Sequence, residues 1–285
     1  MNFYNWFFLE EGRAPAGLFS FQHLFTVTAA LSLYLGLAVL LAYKLKNDAK
    51  KQNLVLLIAG IAIVVVQLSK NIWLCTLPGS TVWGHILGNL PLYFCDVPIF
   101  VIPLAALTKG RFKQWCLDFL AICGLLMGFM GNYFAGNLYP SHAIVSFLTF
   151  NALTNHCISA FVALFIWLTH LNKMEKRDIP FTIGILFTFM TIALIIDYIY
   201  IPTRGSNGNF MFFFTGDGTP FTLFHDMVKG NKIAYQIIIY ILQCGYMGLF
   251  YAIYYPVKKA IDKRKAAKIS EEVLAEEKPE ESVAE

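Results

Sequence analysis

Long apolar runs, each about the length of a bilayer crossing, dominate this chain. Seven can be read, at 23–43, 54–74, 82–107, 115–135, 143–170, 181–201 and 233–256. A helical crossing needs roughly 20 mostly apolar residues, and each run reaches that length. The pattern predicts an all-α, polytopic membrane bundle of seven transmembrane helices. The third run carries Pro91, Pro98 and Pro103. Each proline removes a ladder N–H, so this span is expected to be kinked or locally unwound.

The polar positions between the runs set the expected orientation. Lysine and arginine alternate along the chain, with sixteen in the loops after runs one, three, five and seven and four in the opposite set. The basic side is expected to be cytoplasmic, which puts the N-terminus outside and the C-terminus inside. Three parts follow: an extracytoplasmic interfacial segment at 1–22, a transmembrane domain at 23–256 and a charged cytoplasmic tail at 257–285. The first segment holds Glu10 and Glu11 and lacks a basic start, so it does not read as a signal peptide. Its Phe3, Tyr4, Trp6, Phe7 and Phe8 suit an interface. The tail turns from basic to acidic at Glu271, as in a short helix that frays into disorder.

Composition agrees with a membrane class. Hydrophobic residues make up 57% and charged residues 14%, against about 25% charged in soluble domains; mean hydropathy is +0.58. The net charge of +4 comes from topology-determining residues and gives no reason to expect nucleic acid. Cys95, Cys123, Cys157 and Cys244 fall inside runs, Cys75 and Cys116 near their ends, and no CxxC pair exists. A zinc ribbon or redox motif is therefore not expected, and neither a metal nor a cofactor is called for. Span seven has no lysine for a retinal Schiff base, no span is rich in arginine, and no P-loop is present. A zinc hydrolase using His23, His85, His142 and His225 near one face stays open as an alternative.

Ionisable groups within apolar runs are the candidate chemistry, because burying them in lipid is costly. In Leu90-Pro91-Leu92-Tyr93-Phe94-Cys95-Asp96-Val97-Pro98, Asp96 sits between two prolines. It can cap the broken helix or pair with a buried partner. In span five, Asn151, Asn155 and Ser159 share a face at i, i+4, i+8, with His156 at its edge. His156 can be a structural hydrogen-bonding group or a base. Cys95 and His156 each lie 13 positions into spans that start on the same side, so the two reach similar depth at about 1.5 Å per residue. A thiol and an imidazole at one level suit a Cys/His nucleophile–base pair. Asp197 and Tyr198 end span six. The loop from Arg204 through Phe214 after it can cover a cavity or form an aromatic belt. Gln67 and Gln243 are deep enough to join a polar interior, whereas Lys70 and His85 read as snorkelling groups. Gly124, Gly128 and Gly131 read as a helix-packing stripe.

Several of these segments resemble the bacterial YwaF-like integral membrane proteins, which are distantly similar to a eukaryotic multispan acyltransferase of ether-phospholipid remodelling. The resemblance rests on Phe21-Gln22-His23-Leu24, Gln67, Leu90 through Asp96, Pro103 through Thr108, Phe150 through His156, and Gly205-Ser206-Asn207. It runs over roughly residues 20–256. It implies an acyl-transfer site with catalytic Cys95 and His156, supported by Asp96, Asn155, Gln67, His23, Ser206 and Asn207. Substrates and partners would be membrane lipids, with a phospholipid acyl donor and acceptor, in a bacterial cell membrane. Two departures are visible: Gly208-Asn209-Phe210 follows the Gly-Ser-Asn where Asn-Tyr is commoner, and Thr154-Asn155 precedes His156 where Leu-Ser is more usual. The alternatives are a transporter or lipid-binding membrane protein without catalysis, or a lipid hydrolase using the same site.

Overall fold

The computed structural model describes residues 2–77, 89–204, 209–216 and 219–276, with backbone only at 200–204 and 268–276. The helices are α1 (Phe3–Phe7), α2 (Phe21–Leu45), α3 (Ala49–Cys75), α4 (Pro98–Leu107), α5 (Gly110–Tyr133), α6 (Phe147–Thr169), α7 (Ile179–Arg204), α8 (Thr222–Met227) and α9 (Lys232–Glu276). Short 3-10 turns lie at Phe94–Asp96, Lys176–Asp178 and Phe210–Phe212. Among the described residues, six helices are long and apolar enough to cross a membrane: α2, α3, α5, α6, Lys176–Ile199 and Lys232–Ala267. The stretch Phe94–Leu107 is a shorter apolar helix. The chain is thus a multi-pass, helical membrane protein. The third expected span differs from a continuous helix. Its start at 82–88 lies outside the described residues, Asn89–Tyr93 is unwound, and helix resumes only where Pro98 can occupy the first turn.

Local chemistry explains the helix ends. The side chains of Ser20, Asp48 and Ser146 accept from the backbone N–H of His23, Lys51 and Thr149, capping α2, α3 and α6. Asp48, in the loop before α3, is held below the usual carboxylate range first by the Lys51 N–H. His170 ends α6 in the left-handed region, at φ 55°, with its N–H on the last carbonyls.

Helices α5 and α6 form the buried centre, and their pairing is the most extensive in the chain. Small residues allow it. A β-carbon on Gly124 would collide with Ala163 and the Ser159 carbonyl, and one on Gly128 with Ala160. This is the packing expected of the glycine stripe. Helices α2, α3 and α7 pack around the pair and expose apolar side chains such as Leu33, Ile58, Val65 and Ile195 outward. At one end lie the basic loops, tied together by Arg111–Asp178 (2.6 Å), Trp115–Asp178 (2.9 Å) and Lys113–Asn53. At the other, Glu10 bonds His142 (2.8 Å), and Phe8 packs on Trp73 and Phe147. The aromatic N-terminal segment is thus folded onto protein.

Residues from Gly245 form a second compact unit. It continues α9 past Pro256 to Glu276, with tyrosine rings stacked at Tyr251–Tyr255 and Lys258 over Tyr254. Residues 277–285 lie outside the described chain.

Candidate functional site

The unwound stretch before α4 creates the site. Its 3-10 turn is held by Asp96, whose N–H donates to the Tyr93 carbonyl (2.9 Å) while its Oδ2 accepts from the Tyr93 N–H (3.4 Å). Asp96 therefore does cap the break between the prolines. Its other oxygen accepts a long hydrogen bond, 3.5 Å, from Asn155 Nδ2 on α6. This contact brings the turn carrying Cys95 against the helix carrying His156. Cys95 and Asp96 are half-buried, while Asn155 and His156 are buried.

Helix α3 closes a third side. Asn151 donates to the Val66 carbonyl (2.5 Å), and Gln67 donates to Asn71 (3.2 Å). Half-buried Lys70 lies within electrostatic reach of Cys95, Asp96 and His156 together. It makes no ion pair among the described residues. Gln67, Lys70 and Asn71 share one face of α3 at i, i+3, i+4, which puts the half-buried Lys70 on the side of the helix that carries Gln67.

His156 lies in the α5–α6 seam, its ring on Gly131. Its Nδ1 is buried with no hydrogen-bond partner among the described residues. Buried polar atoms are nearly always paired, so this nitrogen stands out as an orphan facing the Gly131 backbone. No hydrogen bond joins Cys95 to His156 among the described residues. The fourth side is the aromatic loop after α7. Phe210 and Met211 are buried, and Tyr93 packs on Phe210 (5.4 Å) and Phe212 (5.5 Å). Gln243 donates to the Met211 carbonyl (3.0 Å) and pins the loop. Buried Asp197 lies within electrostatic reach of Tyr93. This loop therefore covers the broken span, which a belt lying on the surface would not do. Ser206 and Asn207 lie outside the described residues.

One other sequence candidate, His23, separates from the cluster. His23 Nδ1 accepts from the Phe19 N–H (3.0 Å), and its Nε2 lies 2.9 Å from the Asn132 carbonyl. That pair of partners assigns the Nε2–H tautomer, with the ring packed at a tilt against Tyr139. Gln67 is on the cluster's edge, satisfied within its own helix. The histidines of the zinc alternative do not converge where described: His142 sits on Glu10 and His225 beside Asp226. Among the described residues, no group of three or more His, Cys, Asp or Glu could hold a metal. Two buried acids escaped sequence reasoning, Asp178 before α7 and Asp118 within α5. Asp118 in α5 accepts from Gln114 and from the N–H groups of Lys173 and Met174, and so anchors the α6–α7 loop.

No curated protein and no solved structure matches the chain. A family model described as the TMEM164 family matches residues 18–255, which takes in every helix of the cluster. The chain belongs to the TMEM164 family.

Proposed function

We propose that this protein is an intramembrane lipid acyltransferase that works through a thioester on Cys95. Its orientation would be N-terminus outside and C-terminus cytoplasmic, with the broken stretch as the seventh crossing, in a bacterial plasma membrane. The observation that carries this reading is the Asp96–Asn155 contact, which joins a half-buried thiol-bearing turn to the helix of an unpartnered histidine.

The chemistry follows from the residue types. His156 takes the Cys95 proton, and the thiolate attacks a phospholipid ester carbonyl. Collapse of the tetrahedral intermediate breaks the ester C–O bond, and the leaving alkoxide receives the proton from His156. The acyl chain is then held as a thioester. A second lipid's hydroxyl loses its proton to His156 and attacks the thioester, which regenerates the thiol. The Lys70 ammonium stabilises negative charge on sulfur or on a headgroup phosphate. Catalytic hydrogen bonds are often long in ligand-free states, and this mechanism requires the Cys95–His156 pair to close in the substrate complex. Gln67, Ser206, Asn207 and His23 enter only as supporting residues.

A second reading is a lipid binder or transporter without catalysis, favoured by the missing Cys95–His156 hydrogen bond. One experiment separates them. The full chain in vesicles is given acyl-labelled phospholipid, and hydroxylamine-sensitive label on the protein is measured. Label that disappears in Cys95→Ala, together with lost acyl exchange, supports the enzyme. Unchanged lipid exchange in a well-folded Cys95→Ala sinks it. Release of free fatty acid instead of transfer identifies water as the acceptor.

A further inference from the structure

Helices α4, α5 and α7 leave an apolar groove between them at the end that carries the basic loops. Its volume is about 350 Å³, and Val101, Leu104, Trp115, Phe181, Gly184 and Phe189 are among the residues lining it. Along α7 it runs from Phe181 to Phe189, about 12 Å at 1.5 Å per residue. Gly184 leaves the space open, since a β-carbon there would meet nothing within 4 Å. Elsewhere in the bundle, Gly124, Gly128 and Gly131 are filled tightly by a neighbouring helix.

The rim of this groove is charged. Trp115 and Phe181 stack at 4.3 Å, and the Arg111 guanidinium lies 5.8 Å from one ring and 5.9 Å from the other. One Arg111 nitrogen donates to buried Asp178. That bond fixes the fork's position, while about half of the side chain stays exposed, with 53% accessible. Lys109, Lys173, Lys176 and Arg177 are exposed in the loops on either side. A fixed guanidinium above an apolar channel matches a phosphodiester joined to an acyl chain.

We propose that this groove holds one anionic phospholipid, with its phosphate on Arg111 and an acyl chain along α7 past Gly184. The site is separate from the Cys95 cluster and does not depend on the acyl-transfer reading. The test is native mass spectrometry of the delipidated full chain in detergent, titrated with phosphatidylglycerol or phosphatidylcholine. Phosphatidylglycerol should bind about fivefold more tightly, the preference expected from one basic residue near a headgroup. Arg111→Gln should abolish that preference, and Gly184→Leu, which fills the channel, should remove the bound lipid. Cys95→Ala should leave both unchanged. Equal binding of the two lipids overturns the proposal, as does retention of the site in Gly184→Leu. If Gly184→Leu instead changes the oligomeric state and leaves lipid binding alone, the groove is a contact between copies and the proposal fails. Should Arg111→Gln not fold, because Asp178 loses its partner, Gly184→Leu decides alone.

Discussion

His156 stands against the bare backbone of Gly131, where α5 and α6 pack with no room for a β-carbon. The ring's position is therefore set by an absent side chain on the neighbouring helix. Gly131→Ala should displace the imidazole and destabilise the protein by about 1–3 kcal/mol through overpacking. Gly128→Ala should do the same against Ala160. Gly184→Ala meets open space, and should be neutral or gain up to about 1 kcal/mol from helix propensity. Thermal unfolding in one detergent compares the three. Equal effects at 131 and 184 would contradict the tight seam.

Asp96 is predicted to act first through its acceptors. Asp96→Asn keeps an oxygen for the Tyr93 N–H or for Asn155, whereas Asp96→Ala removes both acceptors. The alanine variant should lose about 1 kcal/mol or more of stability, as lost caps do. The asparagine variant should lose less. Acyl exchange per folded molecule should follow the same order. If the asparagine variant is fully folded yet inactive, the carboxylate charge itself takes part in the chemistry.

His23 carries two hydrogen bonds between α2 and its surroundings, a half-buried one from the Phe19 N–H and a buried one to the Asn132 carbonyl. His23→Ala strands the buried Asn132 carbonyl, at about 1–3 kcal/mol, while the half-buried Phe19 N–H can turn to water at smaller cost. The variant should melt at lower temperature, with normal acyl exchange in whatever fraction stays folded. Loss of exchange with unchanged melting would return His23 to the site.

These residues also mark what could be read from the chain before folding. Hydropathy located the six long helices, because lipid demands long apolar runs whatever their packing. The prolines flanking Asp96 announced a break, since the missing N–H groups are local to the sequence. Depth counting set Cys95 and His156 at one level, and the contact seen between their two elements is the one from Asn155 to Asp96. It left the reach of Lys70 undetermined, because the inward direction of a face depends on which helices surround it. Both nitrogens of His23 are engaged by partners 4 and 109 residues away in sequence, and the distant one is announced by no local pattern. Asp118 was invisible because two of its donors are backbone N–H groups of a loop more than fifty residues on. No residue type in that loop signals such a bond.

The N-terminal segment is held by one acid with two acceptors in use. Glu10 bonds His142 Nδ1 through Oε1 (2.8 Å) and the Ala143 N–H through Oε2 (2.5 Å), both in the turn before α6. Arg13 adds bonds to the carbonyls of Trp6 and Val145 and lies 4.2 Å over the Trp6 ring. Charge-assisted hydrogen bonds of this kind contribute about 1.5–3 kcal/mol each when shielded, and partial exposure lowers that here. Glu10→Ala should therefore free the segment locally without unfolding the bundle. Trypsin should cut after Arg13 several times faster in this variant, while the melting temperature of the helical core stays close to that of the parent. Glu10→Gln keeps an oxygen for Ala143, so its cleavage rate should fall between the two. Identical cleavage rates in all three proteins would mean that the clamp does not restrain the segment.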